Sequence, residues 1–233
     1  MSDIRVYKVL GGALVVLALC WFQRRRSRAR VTRSLMVELA RWQPGLERTY
    51  LPSFEHLDHK YYQQRQSEAE KAGFRLLGDF TDIHPIPFAP DGVCRRLMVS
   101  DDGRTIASII HMRFWMPTKE PDTNSPAEFS TRYVGLVSRV GQTILCTTEM
   151  PGPSYPDMKA VSVKPGSRIE SMNAHHLKEV AALTRDGETA DAFDTFDEIL
   201  AFGTEFDVIT QRHLCADAGI PLPPPLPPLD PVP

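Results

Sequence analysis

Hydrophobic positions along this chain fall into three spacings. From Val6 to Phe22 (VYKVLGGALVVLALCWF) they are nearly continuous, with Lys8 as the only charge. A helix that crosses a bilayer needs roughly 20 apolar residues, with about 17 at the short end. Lys8 lies within a turn of the run's edge, where its long side chain can reach the headgroups. Tyr7 and Trp21 bracket the run at the depth amphipathic rings prefer. No Ala-x-Ala cleavage site follows the apolar core, and bulky Leu19 occupies the small-residue position of a lipidation box before Cys20. The pattern predicts a single transmembrane helix over residues 6–22, with residues 1–5 on its far side.

The second spacing is helical. Val31, Leu35, Leu39 and Trp42 recur at intervals of four, four and three before Pro44-Gly45, predicting a basic juxtamembrane helix within residues 23–45. That stripe suits both a core helix and a helix lying on the membrane surface. A further helix is expected from Ser53 as N-cap to Ala72, ended by Gly73, with Phe54, Leu57 and Tyr61 on its apolar side.

The third spacing is that of strands. Phe74–Phe80, Arg95–Val99, Thr105–Trp115, Thr131–Val140 and Thr143–Thr148 are apolar or alternating segments, and a short extended piece follows at Ala160–Val163. Asp101-Asp102-Gly103 and Gly141-Gln142 supply turn chemistry between neighbours, which predicts an antiparallel meander. Helical spacing returns twice, each time behind an S/T-x-x-E capping box: Ser167/Glu170 before a helix to about Leu183, and Thr195/Glu198 before Phe196, Ile199, Phe202, Phe206 and Ile209. The expectation is one α+β domain over residues 46–219, an antiparallel meander flanked by helices that pack on one face of the sheet. Residues 220–233 hold eight of the twenty prolines and should extend as a polyproline II tail, with Pro224-Pro225-Leu226-Pro227 able to fit an aromatic groove on a protein partner.

Charge sharpens this division. Residues 1–33 carry eight Lys and Arg against one Asp, a balance of +7, and residues 34–233 carry nineteen against twenty-eight, a balance of −9. Arg5 and Lys8 precede or open the apolar run, whereas Arg24, Arg25, Arg26, Arg28, Arg30 and Arg33 follow it, so the domain is expected on the cytoplasmic side. The bilayer is then a partner through residues 6–22 and the arginines beside them. An acidic domain is repelled by phosphate backbones, so nucleic acid is not an expected partner. Cys20, Cys94, Cys146 and Cys215 lie far apart with no CxxC pair, which suits free thiols in a reducing compartment.

Candidate chemistry is sparse. His175, His176 and Glu179 form HHxxE, with His175 and Glu179 one helical turn apart, but no third metal ligand is spaced to join them. Cys94 or Cys146 could meet His111, His175 or His176 as a thiol–imidazole couple. Asp186, Glu188, Asp191, Asp194, Asp197 and Glu198 form an acidic cluster without the order of a calcium loop. Neither a Walker loop, a dinucleotide fingerprint nor a nucleophile elbow occurs. No catalytic, cofactor-binding or metal-binding residue is therefore assigned, and no cofactor is expected. The sequence favours a membrane-tethered binding or regulatory domain without catalysis of its own. Two alternatives remain, a membrane-associated hydrolase or transferase with a Cys/His/carboxylate site and a subunit of a larger membrane assembly.

Overall fold

The structure, a computed structural model, describes Val37, Trp42 and residues 44–84, 89, 91–116, 127–149, 154–184 and 189–221. The expected span at 6–22, the arginines after it, most of the 23–45 helix and the proline-rich tail beyond Pro221 lie outside these residues. Among the described residues no helix is long and apolar enough to cross a membrane.

Seven strands form one mixed sheet in chain order: β1 (Leu46–Thr49), β2 (Phe74–Asp82), β3 (Cys94–Ser100), β4 (Ile106–Met116), β5 (Ala127–Val140), β6 (Thr143–Thr148) and β7 (Met158–Ser162). β1 to β6 pair antiparallel, each with its neighbour, and the short turns after β3 and β5 predict this for the β3–β4 and β5–β6 pairs. The last pair departs from the meander, because β7 runs parallel to β6 with Ile144 opposite Met158. β1, too short to show a period, was absent from the expectation. At the β3–β4 hairpin, Gly103 takes φ 72°, and a Cβ there would lie 3.2 Å from the Phe193 carbonyl oxygen. Glycine is required by backbone conformation and by close approach together.

Among the described residues three helices cover the sheet: α1 (His59–Lys71), α2 (Ile169–Leu183) and α3 (Phe196–Ala218). α1 begins later than expected, since Asp58 and not Ser53 is its N-cap, accepting from the Tyr61 N–H at 3.0 Å. Ser53 instead closes a 3₁₀ turn over Leu51–Ser53. The Thr195/Glu198 capping box forms in full, while the Ser167/Glu170 box does not: the Ser167 hydroxyl donates to the Lys164 carbonyl and Arg168 becomes the N-cap of α2.

The sheet is buried on both faces, which corrects the expectation of helices on one face. Cys94, Met98, Ala107, Ile109, Val134 and Leu136 pack with Tyr62 and Ala69 of α1 and Met172 of α2. The alternate positions Val99, Ile106, Ile110, Tyr133, Val137, Ile144 and Cys146 pack with Ile199, Phe202, Phe206 and Leu214 of α3. This explains why the strands read as near-continuous apolar runs. A bulge between Leu76 and Gly78 leaves Leu77 outside the β2–β3 pairing and reverses the facing of β2. Phe74 accordingly joins the α1–α2 layer, and Phe80 reaches Phe196 of α3 with ring centroids 5.5 Å apart. Asp82 is carried to the same side as Phe80.

Trp42 settles part of the ambiguity in the 31–43 stripe. It is 4 % exposed within the core under α3, its Nε1 donates to the His84 carbonyl at 2.9 Å, and its own carbonyl accepts from Gln211 Nε2 at 2.5 Å. The end of the stripe therefore packs on the domain.

Candidate functional site

The fold brings together one of the expected thiol–imidazole couples. Cys94 and His111 are directly opposed in the β3–β4 ladder, on the face covered by α1. Tyr62 of α1 bridges the backbones of this pair: its hydroxyl donates to the Cys94 carbonyl at 2.6 Å and accepts from the His111 N–H at 2.8 Å. Burial, with Asp79 nearby, pushes the Cys94 thiol up to about 12. Burial and the adjacent Arg132 hold the His111 imidazole down to about 4. A thiolate–imidazolium pair needs the opposite of both shifts.

His111 also touches Ser130, with Nε2 2.8 Å from the hydroxyl. The other ring nitrogen, Nδ1, accepts from the Asp58 backbone N–H at 2.7 Å. Since a backbone N–H can only donate, Nδ1 is the bare nitrogen and the proton sits on Nε2. His111 thus donates toward Ser130 and cannot take its proton as a general base would.

The second histidine centre lies between α2 and the sheet. His176 is fully buried, with Nε2 2.9 Å from the Ser138 hydroxyl and Nδ1 2.9 Å from the Thr147 hydroxyl. Burial, with His175 next to it, holds its imidazole down to about 4. Ser138 also donates to the Arg104 carbonyl at 2.7 Å and lies 3.0 Å from the Thr105 hydroxyl. The ring bridges β5, β6 and α2 without access to water. Of the other HHxxE members, Glu179 is engaged elsewhere. Glu179 pairs with Lys159 of β7 at 2.7 Å, an ammonium contact that lowers its pKa. Among the described residues no group of three or more His, Cys, Asp or Glu could hold a metal ion. Asp186 and Glu188 of the acidic cluster lie outside the described residues, and Glu198 is engaged in the α3 cap.

Two buried ionic networks escaped the sequence reading. Arg65 of α1 binds Glu149 after β6, and donates to Glu68 at 2.7 Å and to the Ser167 carbonyl at 3.0 Å. Glu149 further accepts from the N–H groups of Val134 at 2.9 Å and Gly166 at 2.8 Å, fastening the loop before α2. On the opposite face, Arg95 lies between Asp82 of β2 and Asp207 of α3. The signal for the second was present: Arg95 alternates with Leu97 and Val99 on a core-facing side, so a buried carboxylate had to meet it.

A shallow cleft of about 430 Å³ opens where β5 meets the start of α3. Arg139 crosses it, with its guanidinium 4.9 Å from the Phe202 ring centroid, an ion pair to Glu205, and Asp191 at 4.0 Å. The protein's own cation fills the acidic, aromatic part of the cleft. Comparison of the chain with protein-family models, with curated proteins and with solved structures finds no match.

Proposed function

We propose that this chain is a membrane-tethered binding or regulatory domain, held on the cytoplasmic side by residues 6–22, that acts by contact and not by catalysis of its own. The carrying observation is the state of Cys94 and His111. They are the reactive pair brought face to face, and burial moves the thiol to about 12 and the imidazole to about 4. The apolar run and its arginine collar support the tether, and the acidic balance of the remainder keeps the domain from lying flat on anionic lipid.

Fractionation of the full chain against a chain lacking residues 1–33 tests the tether. The full chain should stay with membranes through a high-salt wash and leave them in detergent, whereas the shortened chain should be soluble and folded. A full chain recovered without membrane overturns the reading. For the second half of the proposal, Cys94→Ser and His111→Gln should rescue a loss-of-function phenotype as well as the native chain does. Failure of both folded variants would favour the hydrolase or transferase alternative, whose support is the same cross-strand register.

A further inference from the structure

Asp82, Arg95 and Asp207 meet between the sheet and α3, with side chains 3 %, 0 % and 0 % exposed. Arg95 donates Nη1 to Asp207 Oδ2 at 2.8 Å and Nη2 to Asp82 Oδ1. Arg95 Nε, Asp82 Oδ2 and Asp207 Oδ1 have no hydrogen-bond partner among the described residues. Two carboxylates around one guanidinium leave a net charge of −1 where water does not reach, and such a charge is removed most cheaply by binding a proton.

Among the described residues, the neighbouring elements present no second buried cation to the cluster. On α3, the residues one turn from Asp207 are Gly203, Thr204, Thr210 and Gln211, all uncharged. β1 presents Arg48, which is exposed and stacked 4.5 Å from the Phe196 ring centroid. Past the end of β2, two residues after Asp82, comes His84, exposed. β4 and β5 contribute Ile110, opposite Arg95, and the Tyr133 phenol, opposite Ile110. The same cluster borders the entry of the chain into the domain. Gln211, one turn after Asp207, holds the Trp42 carbonyl, and His84, two residues after Asp82, holds the Trp42 indole.

We propose that Asp82, Arg95 and Asp207 form a proton-loaded clasp: one proton shared between the carboxylates holds α3 on the sheet, and its loss as pH rises loosens α3 together with Trp42. Burial raises Asp207 to about 7 and Asp82 to about 6 from an ordinary 3.8, against the opposing attraction of Arg95. A carboxyl whose folded pKa is raised binds more protons in the folded than in the unfolded state across that interval. Its stabilising contribution is therefore greatest at the acid end and is lost as pH rises from about 4 to about 7. His111 and His176, held down from 6.5 to about 4, slope the other way over much of this range. The readout is consequently local to α3 and is taken as a difference between proteins.

Amide hydrogen exchange of α3 peptides in the detergent-solubilised full chain, corrected for intrinsic exchange, is measured at about pH 5.5 and about pH 8. Opening of α3 should rise roughly tenfold or more with pH in the native chain, and Asp207→Asn, which mimics the protonated acid, should abolish most of that rise. A folded Asp207→Asn chain with an undiminished rise overturns the clasp. The infrared spectrum of the native chain decides even where the variants do not fold. At about pH 6 it should contain a buried protonated-carboxyl band, and its absence overturns the proposal.

Discussion

His176 and Cys94 make opposite demands on an experiment, although burial governs both. The Cys94 thiol, raised to about 12, should resist iodoacetamide in the native chain at neutral pH and react after unfolding in urea. Mass spectrometry of the labelled peptides checks this, and rapid native labelling would contradict it. His176, depressed from 6.5 to about 4, is neutral in the folded chain while its unfolded counterpart charges first. Its stabilisation is complete above about pH 6.5 and is lost as pH falls toward about 4. His176→Ala should cost about 2–4 kcal/mol at neutral pH, from the cavity and from the hydroxyl contacts removed at Ser138 and Thr147, and less near pH 4.5. Urea titrations at the two pH values measure the difference. Both residues could be singled out from the sequence as chemically interesting. Their partners were harder to read: His111 was one of three histidines open to Cys94 until the β3–β4 register chose it, and His176 meets Ser138 and Thr147 only by helix docking.

Among the elements, the two capping boxes show where local pattern suffices. Thr195 and Glu198 close their box because the chain enters α3 extended, with Thr195 at φ −122° and ψ 156°. Ser167 sits one residue too early, in the turn after Lys164-Pro165-Gly166, and its hydroxyl is spent on Lys164. Thr195→Ala should therefore cost about 1 kcal/mol in urea unfolding, and Ser167→Ala less than about 0.5 kcal/mol. Gly103→Ala should cost more, about 1–3 kcal/mol, because its φ of 72° and the nearby Phe193 carbonyl both oppose a side chain. The six longer strand positions were visible as apolar runs with turn residues between them. The bulge at Leu77 was not, since its effect is a change of facing and not of composition. The parallel β6–β7 pairing was equally hidden, because the direction of a strand leaves no mark on its hydrophobicity.

For the whole molecule, the double-faced sheet makes Trp42 part of the domain and not of the segment that precedes it. Removing residues 1–33 should leave thermal stability nearly unchanged, whereas Trp42→Ala should cost about 3–5 kcal/mol, as large aromatic truncations in cores do. Thermal unfolding of the two proteins distinguishes them, and equal melting temperatures would contradict the assignment. The sequence could say that Val31, Leu35, Leu39 and Trp42 share a stripe, but the surface met by Trp42 is assembled from His84, more than forty residues later, and Gln211, near the end of α3. That arrangement has a mechanical meaning. Tension arriving along the chain from the N-terminal side is delivered to a buried tryptophan held at its indole by the His84 carbonyl and at its own carbonyl by Gln211, and passes at once to α3 and to the end of β2. A pull applied at Trp42 would therefore be felt by α3 and by the sheet together before any single strand could peel away.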